Sequence, residues 1–168
     1  MASSVGMARY TSLLLFWWLM RKLPEVEQAK ALMLEAAEWS TFTWLWEKRR
    51  VREAADRAND ALDRLNRAVK AHWASDVKAA YKEISAKNRP FTNGVASPEV
   101  LAYAEKVRVA DDAAHRARRT AEETFDRAER EMSTDLAREG CRQAIQSWEL
   151  HEKAIRRAEA APGSAKSA

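Results

Sequence analysis

Apolar residues recur along this chain at alternating steps of four and three. Val51, Ala55, Ala58, Leu62, Leu65 and Val69 form one such series, the mark of a helix that packs along another helix. The phase then slips by about one residue, and Trp73, Val77, Ala80 and Ile84 resume it; such a slip changes the local supercoil without ending the helix. A second series runs Val100, Ala104, Val107, Asp111, Ala114, Arg118, Ala121, Phe125, Ala128 and Met132. Asp111 and Arg118 interrupt it, and polar seam residues cost stability but fix register. Beyond Gly140 the pattern continues through Ile145, Trp148 and Ile155.

This patterning predicts an all-α chain: a long antiparallel helical hairpin, coiled-coil-like, with helices over 24–87 and 98–161 joined by a turn at 88–97. Pro24 suits a first helical turn, where its missing N–H costs nothing. Pro90 and Asn93-Gly94 supply turn chemistry, and Ser97-Pro98-Glu99 reads as N-cap, first-turn proline and an acid at the positive end of the helix dipole. The stretch 39–46 is rich in hydroxyl and aromatic residues, mediocre helix formers, so a kink or short break is expected at 40–43 in a stretch still read as helical. Gly140 marks a close contact or a break near that position. Residues 162–168 read as a frayed, disordered tail.

Residues 1–23 form the third unit, a short apolar helix. The run 13–20, Leu-Leu-Leu-Phe-Trp-Trp-Leu-Met, is eight residues long, short of the ~20 a bilayer span needs. It is also a poor signal peptide, because Arg21-Lys22 follow the apolar run and no small-x-small cleavage site comes after.

If residue 87 lies beside residue 98, facing positions sum to roughly 185, within about one helical turn. Trp44 and Trp46 then face Gly140 and Cys141, and Trp148 lies over Ala36 and Ala37. The basic run Lys48-Arg49-Arg50-Val51-Arg52 passes Glu129, Glu131, Asp135 and Glu139. The outline resembles the hairpin rods that serve as stalk proteins in flagellar and type III export machines, in architecture alone and with no shared motif.

Composition narrows the function classes. The 168 residues are one domain's worth of chain, and a two-helix rod has a thin seam, so self-association into a bundle is expected. A net charge of +4, from 29 basic and 25 acidic side chains, is a mixed solvated surface rather than the single-signed one of a DNA-coating protein. The clusters Lys48-Arg49-Arg50 and Arg116-Ala-Arg118-Arg119 could meet phosphates, but acids lie within a turn or two, and nucleic acid is not the expected partner. One cysteine, Cys141, cannot form an internal disulfide, which suits a cytoplasmic setting. With four glycines and no phosphate-binding loop, paired metal-cysteine motif or serine elbow, the expectation is a non-enzyme without cofactor.

The reading that follows is a structural or adaptor protein acting at a Trp-rich end. Its contact residues are Leu14, Phe16, Trp17, Trp18, Trp44, Trp46 and Trp148, apolar groups suited to a specific interface. One alternative is a membrane-surface protein held by residues 9–22 as an interfacial helix. Another uses His72, Asp76, Asp111, Asp112 and His115, which the register brings to one level, as metal ligands in a dimeric four-helix bundle.

Overall fold

The computed structural model describes residues 23–87 and 96–162. These form five helices and no strand: α1 Pro24–Ala36, α2 Thr41–Ala71, α3 Ser75–Lys87, α4 Pro98–Glu131 and α5 Thr134–Glu159. The chain is all-α. Helix α1 packs on α2 and α5, α5 lies along α4 and against α2, and α3 packs on α4.

The chain does not form two unbroken helices over 24–87 and 98–161. It breaks at 37–40, 72–74 and 132–133, and Gly140 lies inside α5. Each break is marked by specific hydrogen bonds. At the first, Ser40 adopts extended backbone and accepts from the Thr43 N–H. The Trp44 indole N–H donates to the Ala36 carbonyl at 3.1 Å, which gives the C-terminal end of α1 a side-chain partner. At the second, the Trp73 indole N–H and the Tyr103 hydroxyl both donate to the Ala158 carbonyl, each at 2.6 Å. The joint between α2 and α3 is thereby tied to the end of α5. At the third, Met132 takes the left-handed conformation (φ 49°, ψ 41°). Ser133 N–H donates back to the Ala128 carbonyl at 3.0 Å, and the Ser133 hydroxyl accepts from Leu136 N–H. That closes α4, caps α5 and reverses the chain within two residues.

Side-chain partners place α2 between its neighbours. Arg52 meets Asp126, Asp63 meets Arg118 and Lys70 meets Asp111, so numbers fall along α4 as they rise along α2. Against α5 both rise: Thr41 pairs with Thr134, Asn59 with Trp148 and Trp73 with Ala158. A single hydrophobic cluster runs from Leu23 to Ala161 and includes Val51, Ala58, Leu62, Leu65 and Val69 of the α2 seam. Met132 leaves the α4 seam for solvent because its helix has already ended.

The reversal at 132–133 also overturns the expected register. A Cβ on Gly140 would come within 2.8 Å of the Phe125 ring, so the glycine faces α4 rather than Trp44 or Trp46. The Trp148 indole N–H donates to Asn59 Oδ1 at 2.9 Å instead of lying over Ala36 and Ala37. In the basic run, Arg52 reaches Asp126 and Glu129, while Arg49 and Arg50 pair with Glu53 and Glu47 on their own helix. Glu131, Asp135 and Glu139 pair with Arg127, Arg138 and Arg142.

Candidate interaction site

Helix α2 begins at one end of the bundle, beside the α4–α5 reversal, and four large apolar side chains there are turned to solvent. Phe42 is 69 % exposed, Leu45 48 %, Trp46 74 % and Met132 69 %. Phe42 and Trp46 are four residues apart on one face of α2, with ring centroids 6.2 Å apart. Beside them, α2 and α4 part to form an apolar groove of about 250 Å³, lined by Trp44, Leu45, Val51, Phe125, Ala128 and Met132 among others. Lys48, Arg52 and Glu129 stand in its wall.

The groove is built on rigid parts. Trp44 is wedged edge-on against Trp39 at 5.6 Å and tilted over Phe125 at 6.3 Å, with its N–H bonded to α1. The Arg52 guanidinium lies 5.4 Å from the Phe125 ring centroid while paired to Asp126 and Glu129. Thr41 and Thr134 hydroxyls, 2.6 Å apart, join the start of α2 to the start of α5. Contacts of this kind hold a groove floor in place, and a pre-formed floor would lower the ordering cost of binding.

The sequence-predicted contact residues divide. Trp46 is exposed at this end and Trp44 forms the groove wall. Trp148 is 1 % exposed and held by Asn59, so its ring is a core element rather than a contact surface. Leu14, Phe16, Trp17 and Trp18 lie outside the described residues. Phe42 and Leu45 lie within the stretch 39–46 expected at the Trp-rich end without being singled out there, and Met132, expected in the seam, is exposed instead. Phe42 had a signal in the Phe42–Trp46 spacing, which puts both rings on one helix face.

The proposed metal ligands are not brought together. Asp111 is buried and bound by the Lys70 ammonium and the Tyr81 hydroxyl; burial, with Asp111 beside it, holds the Tyr81 phenol well above its ordinary range. Asp112 is paired with Arg108 at 2.6 Å, and Asp76 accepts from the Val77 N–H. His72 is exposed at the end of α2, and His115 stacks edge-on with His151 at 5.2 Å. No group of three or more His, Cys, Asp or Glu among the described residues could hold a metal ion. Burial raises the Cys141 thiol to about 12, with Arg142 opposing, so at neutral pH it is protonated. None of the helices among the described residues is long and apolar enough to cross a membrane. Comparison with protein-family models, curated proteins and solved structures gives no match for this chain.

Proposed function

We propose that this chain is a non-catalytic structural or adaptor protein, an antiparallel, coiled-coil-like shaft that binds a protein partner at its Trp-rich end. The observation that carries this reading is the Phe42–Trp46 pair, solvent-exposed at the mouth of an apolar groove walled by Trp44, Phe125 and Met132. Contiguous exposed apolar side chains mark interaction surfaces, and tryptophan is enriched among residues that dominate interface energies. Met132 supports the same reading. Its left-handed backbone costs about 1–2 kcal/mol that glycine would avoid, yet a large apolar side chain stands there and lines the groove. Local strain is retained where it serves a site.

The test is affinity capture from the native cell with wild type, Trp46→Ala and Phe42→Ala. Both side chains are exposed, so each substitution should shift stability by no more than about 0.5 kcal/mol. Capture of the partner should fall by roughly tenfold or more. Undiminished capture by both variants overturns the proposal.

Self-association is a second reading, favoured by the same ridge and groove lying side by side, since one copy's Phe42 and Trp46 could enter another's groove. Sedimentation equilibrium of wild type against Trp46→Ala distinguishes it. A membrane-surface role through residues 9–22, which lie outside the described residues, predicts pelleting with vesicles that Trp46→Ala leaves unchanged.

A further inference from the structure

At mid-height of the bundle a second feature lies between α2, α4 and α5. It is a small cavity of about 10 Å³, lined by Leu62, Asp63, Asn66, Asp111, His115 and His151 among others. Two polar atoms of its lining residues, Asn66 Oδ1 and His151 Nε2, are buried without a hydrogen-bond partner among the described residues. The His151 residue is 6 % exposed.

The neighbouring polar groups are committed elsewhere. Arg118 holds both oxygens of Asp63, at 3.0 and 2.9 Å. Lys70 and Tyr81 hold Asp111. His115 meets His151 ring against ring at an interplanar angle of 73°. A buried polar atom left unpaired costs about 1–3 kcal/mol, and here two of them belong to residues that line one cavity. The space matches the ~10–15 Å³ that one water molecule needs, and two polar partners meet the lower limit for an ordered internal water. It is too small for an organic ligand.

We propose that this cavity is a binding site for one water molecule, which donates a hydrogen bond to Asn66 Oδ1 and pairs with His151 Nε2. The water joins α2 to α5 across the α4 face. With His151 neutral, it donates to Nε2 if the ring proton sits on Nδ1, or accepts from Nε2–H in the other tautomer.

A crystal structure at a resolution that shows ordered solvent tests this directly. The expected result is a single solvent peak within hydrogen-bond distance of both atoms. An empty cavity, a peak that meets only one of them, or a direct Asn66–His151 hydrogen bond overturns it. In solution, the full chain should show nuclear Overhauser contacts between the His151 ring protons and a long-lived water, and Asn66→Leu should abolish them. If Asn66→Leu does not fold, the wild-type measurement still decides: no long-lived water at His151 rules the site out.

Discussion

Burial lowers the His151 imidazole from an ordinary 6.5 to about 4, with the Arg118 and His115 charges adding to the shift and Asp63 and Asp111 opposing it. The folded state therefore holds this ring neutral where the unfolded chain would protonate it. Above pH ~6.5 the ring is neutral in both states and has no effect on stability. Between pH ~6.5 and ~4 the unfolded chain gains the proton first, and stability drains away, reaching about 3 kcal/mol below the folded value. Asp63 acts later. Burial pushes its carboxyl up, but the Arg118 hydrogen bonds and charge more than offset this, and it sits below its ordinary value. Its contribution is present above the ordinary carboxylate range and lost as pH falls further. Urea unfolding followed from pH 7 to pH 4 should show a declining midpoint, and His151→Gln should flatten much of that decline. A second residue-scale prediction concerns Gly140. Alanine there gains up to about 1 kcal/mol in helix propensity, but its Cβ would press on the Phe125 ring, which is buried and cannot retreat freely. Overpacking of this kind costs about 1–3 kcal/mol, so Gly140→Ala should be destabilising. Phe125→Leu should reverse the sign of the Gly140→Ala effect, as thermal unfolding of the double mutant would reveal.

Helix ends decide the next level. Ser40, Ser97 and Ser133 each accept a backbone N–H at the start of a helix, and indole or phenol groups reach the carbonyls at the ends of α1 and α5. Among the described residues, only the α4 end relies on a residue against its preference, Met132 at positive φ. Met132→Gly should relieve about 1 kcal/mol of backbone strain and raise the melting temperature by ~2–4 °C. If the groove binds as proposed, the same variant should lose partner affinity, separating stability from function in one protein. The Ser97-Pro98-Glu99 boundary was legible in the sequence because its chemistry is contained in three adjacent residues. The break at 72–74 falls where the seam slips between Val69 and Trp73, a slip that by itself also fits a continuing helix; the break at 132–133 interrupts a seam that runs in phase up to Met132 and left no mark in the spacing.

For the molecule as a whole, the hydrophobic cluster is continuous from α1 through α5, and buried indoles sample it at separate levels: Trp44 near the reversal, Trp148 beside Asn59 and Trp73 at the end of α5. The described residues should consequently unfold as one unit. Far-UV circular dichroism and tryptophan fluorescence are expected to report the same urea midpoint. Two separated transitions would show that α3, which packs on α4, or α1, which packs on α2 and α5, melts alone. The proposed interaction end sits where three chain segments converge, the starts of α2 and α5 and the end of α4. No one of those segments carries the groove.

Periodicity alone determined that this chain is helical and which faces are buried: Val51, Ala58, Leu62, Leu65 and Val69 in α2, and Val100, Ala104, Val107, Ala114, Ala121, Phe125 and Ala128 in α4, are all core. Those properties depend on residues within a turn or two of one another, so a linear reading captures them. Asp111 illustrates the boundary. Its place in the seam was visible from spacing, but its partners Lys70 and Tyr81 come from two different helices. Tertiary structure alone decided that Gly140 meets Phe125, that the Trp148 indole bonds to Asn59, and that Phe42, Leu45 and Trp46 remain in solvent beside a groove. The reason is that each depends on contacts between segments far apart in sequence, and moving a single helix break re-aims every side chain beyond it.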